Sequence, residues 1–358
     1  MLKVAIIGAT GVVGQEFVVA LDEHPWFEVR QLAASERSAG KKYLEAIHDK
    51  NSGITKWHQH ESVPDYVKDM LVQHVSEINP KDVDLVFTAI EADDAKVIEP
   101  RLAERVPVIS TASAFRYEND VPILIPGIND GQADLLNFQR KNRGWKGFIA
   151  PLPNCTTTGL AITLKPIMES FGVERVFMTS LQAVSGAGRS PGVAALDIFD
   201  NIIPYIPKEE EKVQVETMKI LGALNGNAIN SALMKVSCTC TRVSVLDGHT
   251  ESVFVETTKH CEPAGVKDAM LKYSESVSIK GLPSAPPEYI LVHDDPTRPQ
   301  PRLDRNMNDG MTTVVGRLRK DAVFDKGIKY VLLSHNEKMG SAKGAVLLAE
   351  LLKQRNYL

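Results

Sequence analysis

Cysteine is scarce in this chain, four in 358 residues, and positions 155, 238, 240 and 261 make no disulfide framework. Cys238 and Cys240 lack the two-residue spacer and the second pair of a zinc site, so reduced thiols and no metal are expected. A charge surplus is missing as well. Lys and Arg total 41 against 45 Asp and Glu, a formal net of −4, which excludes the electrostatic footprint of a nucleic-acid or polyanion binder. Long hydrophobic runs are absent. The opening Met1-Leu-Lys-Val-Ala-Ile-Ile-Gly8 is too short in apolar residues for a signal peptide, and no later stretch is long enough to span a bilayer; a cytoplasmic protein without membrane contact is expected. No internal repeat occurs. What is present, 43% apolar and 24% charged residues, is a globular composition with length for two domains.

Residues 3–7 read as a buried strand, followed by Gly8-Ala-Thr10-Gly11-Val12-Val13-Gly14 and an amphipathic helix through about Leu21. Strand, glycine turn and helix in this order make a phosphate cradle, here with the variant spacing G-x-x-G-x-x-G. The alternative is a plain tight turn. The next strand, Phe27 to Ala33, ends without the carboxylate that an NAD site places at the ribose. It runs instead into Ala34-Ser35-Glu36-Arg37-Ser38, whose hydroxyls and guanidinium suit a 2′-phosphate and favour NADP. If this segment is extended, Glu36 points away from Ser35 and Arg37. Residues 41–80 are polar, with scattered histidines at no ligand spacing. Val83–Thr88 and Val106–Ser110 restore the strand alternation of a parallel sheet.

Pro151-Leu-Pro-Asn154-Cys155-Thr-Thr-Thr-Gly159 opens a helix-periodic segment through Phe171. Asn154 and the threonines supply cap chemistry, which puts Cys155 at the helix start, where free N–H groups and the helix dipole favour a nucleophilic thiolate. A small buried helix-start cysteine is the plain alternative. Longer strands follow at 175–183, 235–246 and 251–257, with helical patches at 193–201 and 209–221. Strand alternation places Cys238, Cys240 and Arg242 on one face, with His249 just past the Asp247-Gly248 turn. A cysteine that attacks an acyl carbon, an arginine that clamps a carboxylate and a histidine that moves a proton make chemical sense together. Singly, His249 and Arg242 fit a turn residue and an ion-paired strand residue equally well. Six prolines between Pro283 and Pro301 mark a long loop that suits a subunit contact or lid. Ile328–Leu333 and a helix at 341–353 are expected to fold back on the first domain.

Six separated motifs run in order along nearly the whole chain: Gly8 to Gly14, Pro153 to Gly159, Gln182-Ala-Val-Ser185-Gly186-Ala-Gly188, Asp197 to Tyr205, Glu209-Glu-Glu-Lys212 with Glu216 to Leu221, and Arg242 to His249. Together they resemble the aspartate-β-semialdehyde dehydrogenase family, most closely its archaeal and fungal branch, whose Asp-Gly-His-Thr-Glu run stands here at 247–251. The resemblance implies an α/β fold with an N-terminal Rossmann-like NADP-binding domain, residues 1–153 completed by a C-terminal helix at about 335–358. An α+β catalytic and dimerisation domain with a mixed sheet would occupy 154–334, in a homodimer or homotetramer. It further implies NADPH-dependent reduction of L-aspartyl-4-phosphate to the semialdehyde. Cys155 would be the thioester nucleophile, His249 the acid/base and Gln182 the substrate-orienting residue. Arg242 and Glu209 would hold the substrate carboxylate and amine, while Lys212, Arg116 and Asn154 face the phosphate or oxyanion. Gly8, Thr10, Gly11, Val12, Val13, Gly14, Ser35, Arg37 and Ser38 would hold the cofactor, with Ser185, Gly186 and Asn336 beside the nicotinamide. The chain departs from the family pattern at Arg189-Ser190, at Thr241 and at Met339-Gly-Ser-Ala-Lys-Gly344. Sister enzymes acting on N-acetyl-γ-glutamyl phosphate or malonyl-CoA share the architecture, although Asn154 argues against the latter. A non-catalytic NADP-binding regulator would not need Cys155, Gln182, Arg242 and His249 together.

Overall fold

The computed structural model describes residues 1–188 and 192–358; the Arg189-Ser190 departure therefore lies outside the described residues. Among these, two seven-stranded sheets carry the chain. The first is built from the apolar runs Leu2–Ile7, Phe27–Ala34, Leu71–His74, Leu85–Thr88, Val108–Ser110 and Ile149–Pro151. These six pair in parallel, and numbered along the chain they stand in the order 3-2-1-4-5-6, with Lys41–Lys42 antiparallel at the edge. This is the order of a dinucleotide-binding sheet, which takes its ligand where the order reverses. Alternate residues of the first strand feed opposite cores, Val4 and Ile6 on one side, Ala5 and Ile7 on the other. Both faces are thus covered, as a parallel sheet with continuous apolar strands requires. Leu71–His74 was not legible in the polar 41–80 segment because it is short and half its residues are polar.

The second sheet orders as 202–203, 235–243, 175–182, 249–256, 327–334, 313–320 and 290–292. It is mixed: Arg175–Gln182 runs parallel to Lys235–Val243 and antiparallel to His249–Glu256. Burial alternates along Arg175–Gln182, so one face packs beneath helices Cys155–Phe171 and Glu209–Ile220 while the other leaves Phe177 and Leu181 45% and 37% exposed.

Three expectations are corrected. The run at 328–333 does not return to the first domain; as Gly327–Ser334 it pairs with His249–Glu256, because its buried Ile328, Tyr330 and Leu332 complete the second core. Only the following helix, Ala342–Gln354, docks on the first sheet beside Val12–Ala20. The helical patch at 193–201 shrinks to Ala195–Ile198, and Leu196 within it and Phe199 just after it stay exposed without a core to bury them. The proline-rich segment is not a loose lid. Ile290–Val292 pairs with Thr313–Val315, Tyr289 Oη donates to Pro126 O at 2.7 Å, and the Ser284 amide donates to the Glu350 carboxylate. Among the described residues no helix is long and apolar enough to cross a membrane.

Candidate active site

Strand Ile149–Pro151 ends the first sheet, and helix Cys155–Phe171 begins four residues later. Asn154 caps that helix, its Oδ1 accepting from the amides of Thr156 and Thr157 at 2.9 and 3.3 Å, a contact worth about 1 kcal/mol. Cys155 is the first helical residue, with its sulfur 3.2 Å from His249 Nε2. The thiol is not poised as a resting thiolate. Burial pushes it up to about 12, helped by the carboxylates of Glu209 and Glu337, against the pull of the Arg242 and Arg116 guanidiniums. The helix start is where the sequence puts it, but burial is the largest cause acting on the thiol and raises it.

His249 follows the Asp247-Gly248 turn directly and opens its strand. It is fully buried, and burial with the nearby Arg242 lowers it to about 3, so it is neutral. The Ala183 amide donates to Nδ1 at 3.1 Å, which leaves the proton on Nε2, donated toward sulfur. Acting as base toward Cys155 requires the other tautomer and release of the Ala183 contact. Arg242 stands opposite Gln182 in the paired strands and donates from Nη1 to Ala183 O at 2.7 Å. Gln182 is 1% exposed, donates to Ser180 Oγ at 3.2 Å and is absent from the wall of the cleft.

The cleft itself, about 550 Å³, is lined by Cys155, Asn154, Arg116, Glu209, Lys212 and Arg242, with Ser185, Gly186 and Asn336 on one flank. Asn336 ties that flank together: its amide nitrogen donates to Ser185 Oγ at 2.8 Å and its Oδ1 accepts from the Gly248 amide at 2.8 Å. Glu209 Oε1 accepts from Asn154 Nδ2 at 2.8 Å, and Lys212 Nζ lies 3.7 Å from Glu209 Oε2. Arg116 and Glu216 form a buried pair at 3.1 Å; removing one partner of such a pair costs about 3–5 kcal/mol. Sequence reasoning missed Glu216 as a site residue and missed Glu337, which lines the cleft and is pushed up to about 8 by burial. Glu216 lies seven residues after Glu209, two helical turns on the same face, and that spacing was the available signal. Nothing in the sequence pointed to Glu337.

The cofactor-side residues also meet. Gly8 has φ +85°, and a Cβ there would lie 2.1 Å from Ala89 O; one on Gly14 would lie 2.0 Å from Gly8 O. Only glycine permits this turn, which leads into helix Val12–Ala20 with no side chain capping its first amides. Thr10, Gly11, Val12, Ser35, Arg37 and Ser38 line one hollow of about 640 Å³. Lys41, Lys50 and Lys56, which the sequence reading did not single out, share it. Val12 lines both this hollow and the catalytic cleft, and Val13 the latter, so the two adjoin at the start of helix Val12–Ala20. The segment after Ser35 is a turn, with the amides of Ser38 and Ala39 donating to Ser35 O. Alternation therefore does not govern Glu36, although Glu36 is absent from the hollow's wall.

Two family models match the chain, "Semialdehyde dehydrogenase, NAD binding domain" over residues 3–135 and "Semialdehyde dehydrogenase, dimerisation domain" over residues 164–337. The aspartate-semialdehyde dehydrogenase of Methanothermobacter thermautotrophicus is 44% identical over 354 residues, 99% of each chain. The chain belongs to the aspartate-semialdehyde dehydrogenase family. The crystal structure of the Candida albicans aspartate-semialdehyde dehydrogenase with NADP aligns over the whole of both chains, at a TM-score of 0.89 and 40% identity. Aspartate-semialdehyde dehydrogenase II of Vibrio cholerae, complexed with ASA, aligns at 0.78 and 30% identity over 100% of this chain and 99% of its own. Two departures from the family pattern lie among the described residues, and the second reaches the cleft, with Gly340 and Ser341 on its wall. Thr241 donates its hydroxyl to Ser180 O at 2.7 Å. Met339 is 1% exposed in the core, and Lys343 pairs with Asp309, which also holds Lys338.

Proposed function

We propose that this chain catalyses the NADPH-dependent reductive dephosphorylation of L-aspartyl-4-phosphate to L-aspartate-4-semialdehyde, through a thioester on Cys155. This is the shared step before lysine, threonine, methionine and isoleucine synthesis diverge. The observation that carries the reading is the contact of 3.2 Å from Cys155 to His249, which stands behind the wall, in a cleft that Cys155 lines with Arg116, Lys212, Arg242 and Glu209. In the acylation step the Cys155 sulfur bonds to the acyl carbon, the bond from that carbon to the phosphate oxygen breaks, and the thiol proton leaves on phosphate. Arg116 and Lys212 hold the phosphate dianion, and Arg242 and Glu209 take the substrate's carboxylate and ammonium. Asn154 Nδ2, with one hydrogen on Glu209, has a second for the acyl oxygen. His249 is the acid/base partner; with Nδ1 held by Ala183, its first action is a hydrogen bond to sulfur that favours thiolate as it forms and leaves. Gln182 orients the acyl group by exchanging its Ser180 contact for substrate.

NADP is the cofactor, held by the Gly8–Gly14 turn and by Ser35, Arg37 and Ser38, with Ser185, Gly186 and Asn336 beside the nicotinamide. When bound, it supplies the hydride that reduces the thioester. The proposed domains are 1–153 with 335–358, and 154–334. The protein is proposed to form a homodimer or homotetramer through the open face of the second sheet, where Phe177 and Leu181 are exposed, and to work in the cytoplasm, a compartment that suits its four free thiols.

The test is NADPH formation from L-aspartate-4-semialdehyde, phosphate and NADP, with N-acetylglutamate semialdehyde in parallel. Phosphate-dependent turnover of the aspartate compound alone is expected. Turnover only of the N-acetylated compound, or only with coenzyme A replacing phosphate, would overturn the reading in favour of a sister enzyme.

A further inference from the structure

Helix Glu209–Ile220 carries two buried carboxylates two turns apart, Glu209 and Glu216, 6% and 0% exposed. Both reach the same residue of the neighbouring element. Glu209 Oε1 accepts from the Asn154 side chain at 2.8 Å, and Glu216 Oε2 accepts from the Asn154 backbone N–H at 2.6 Å. The other oxygen of Glu216 accepts from Arg116 Nη1 at 3.1 Å and from Tyr117 Oη at 3.0 Å. Every contact that reaches this carboxylate is a donor. No neutral isostere satisfies all three, because an amide offers one oxygen and turns its own N–H against a donor on the other side.

We infer that Glu216 is a positioning residue of the proposed reaction: it fixes the backbone of Asn154, and through it the Cys155 sulfur against His249, while it holds the Arg116 guanidinium in the cleft. The inference rests on the thioester reading, in which Cys155 and Arg116 touch the substrate. Asn154 is gripped at its side chain and its backbone by one helix, and Asn154 in turn caps the helix that Cys155 begins. Cys155 follows it directly, so a rotation of the 154 peptide moves the sulfur. The geometry also removes a donor from the reacting centre. The Asn154 amide is committed to Glu216, so stabilisation of the acyl oxygen falls to the Asn154 side chain and to cations rather than to that backbone N–H.

The test compares Glu216→Gln and Glu216→Asp with the parent protein in two ways. The first is the rate of Cys155 alkylation by iodoacetamide in substrate-free protein at pH 8, read by peptide mass. The second is the pair kcat and KM for phosphate in the semialdehyde assay, with NADP binding and circular dichroism recording that the fold is intact. For Glu216→Gln the expected result is a fall of roughly 100-fold in kcat, the scale of a reacting group displaced by about 1 Å. A rise in KM for phosphate as Arg116 is released, alkylation slowed several-fold and unchanged NADP affinity should accompany it. Glu216→Asp keeps the charge beside Arg116 but is one methylene too short to hold both sides, so kcat should fall while KM for phosphate stays near the parent value. This second variant decides the matter if the first does not fold. Folded variants with parental kcat and parental alkylation would overturn the inference, as would a loss confined to melting temperature. The alkylation arm needs no substrate, so a parent protein inert toward aspartate semialdehyde would sink the functional reading and still leave the positioning of Cys155 decided.

Discussion

The two sheets solve different problems with the same number of strands. The first is covered on both faces, its strands nearly continuous in apolar residues, and all four residues of Leu85–Thr88 are buried. The second is covered on one face, with burial alternating along Arg175–Gln182 and His249–Glu256. The doubly covered sheet has no free face on which to display chemistry, so the residues it contributes to the proposed site stand past its strand ends, in the glycine turn, the Ser35–Ser38 turn and the segment that carries Arg116. The singly covered sheet sends Arg242 and His249 inward to the nucleophile helix and leaves Phe177 and Leu181 on the outside. In the proposed reading the phosphate end of the cofactor and the nucleophile therefore depend on different elements, with Asn154 between them.

If that division is right, the largest effect comes from Cys155→Ala. Turnover should fall by roughly 10⁴-fold or more, with NADPH affinity in a fluorescence titration unchanged within about twofold. Loss of cofactor binding would mean that the two sheets are not functionally separable. Next, Phe177→Glu with Leu181→Glu places charge on the open face without touching the inward residues. Light scattering should show the oligomer dissociating at concentrations roughly 100-fold above the parent's, on the order of 3 kcal/mol per interface; an unchanged mass would move the interface elsewhere. A smaller effect is expected at the strand-end turn, where Arg37→Ala should weaken NADPH by roughly tenfold and NADH hardly at all. Equal losses would remove Arg37 from the 2′-phosphate. The smallest is a slope. Because burial holds the Cys155 thiol at about 12, its thiolate fraction in substrate-free protein should keep rising by about tenfold per pH unit from pH 7 to 9. An alkylation plateau within that range would show that the helix start prevails over burial.

Much of the first sheet was legible because a doubly covered strand writes its burial into consecutive residues, as in Val4-Ala-Ile-Ile7. The exception, Leu71–His74, is short and half polar, and its pairing with Leu32 to Ala34 is a non-local fact. The second sheet was legible by alternation, which put Cys238, Cys240 and Arg242 on one face, but alternation does not say which strands pair. The C-terminal run Gly327–Ser334 was accordingly assigned to the wrong sheet, since its apolar residues fit either core equally well.

Local chemistry determined the turn at Gly8 to Gly14, the cap at Asn154 and the helix start at Cys155, because each depends on residues within a few positions of one another. Only the tertiary structure decided the state of the nucleophile. The raised thiol, the tautomer of His249 set by the Ala183 amide and the double grip on Asn154 by Glu209 and Glu216 depend on groups 39 to 182 residues apart in sequence. Desolvation and hydrogen-bond partnership are properties of the packed site, and no spacing along the chain encodes them.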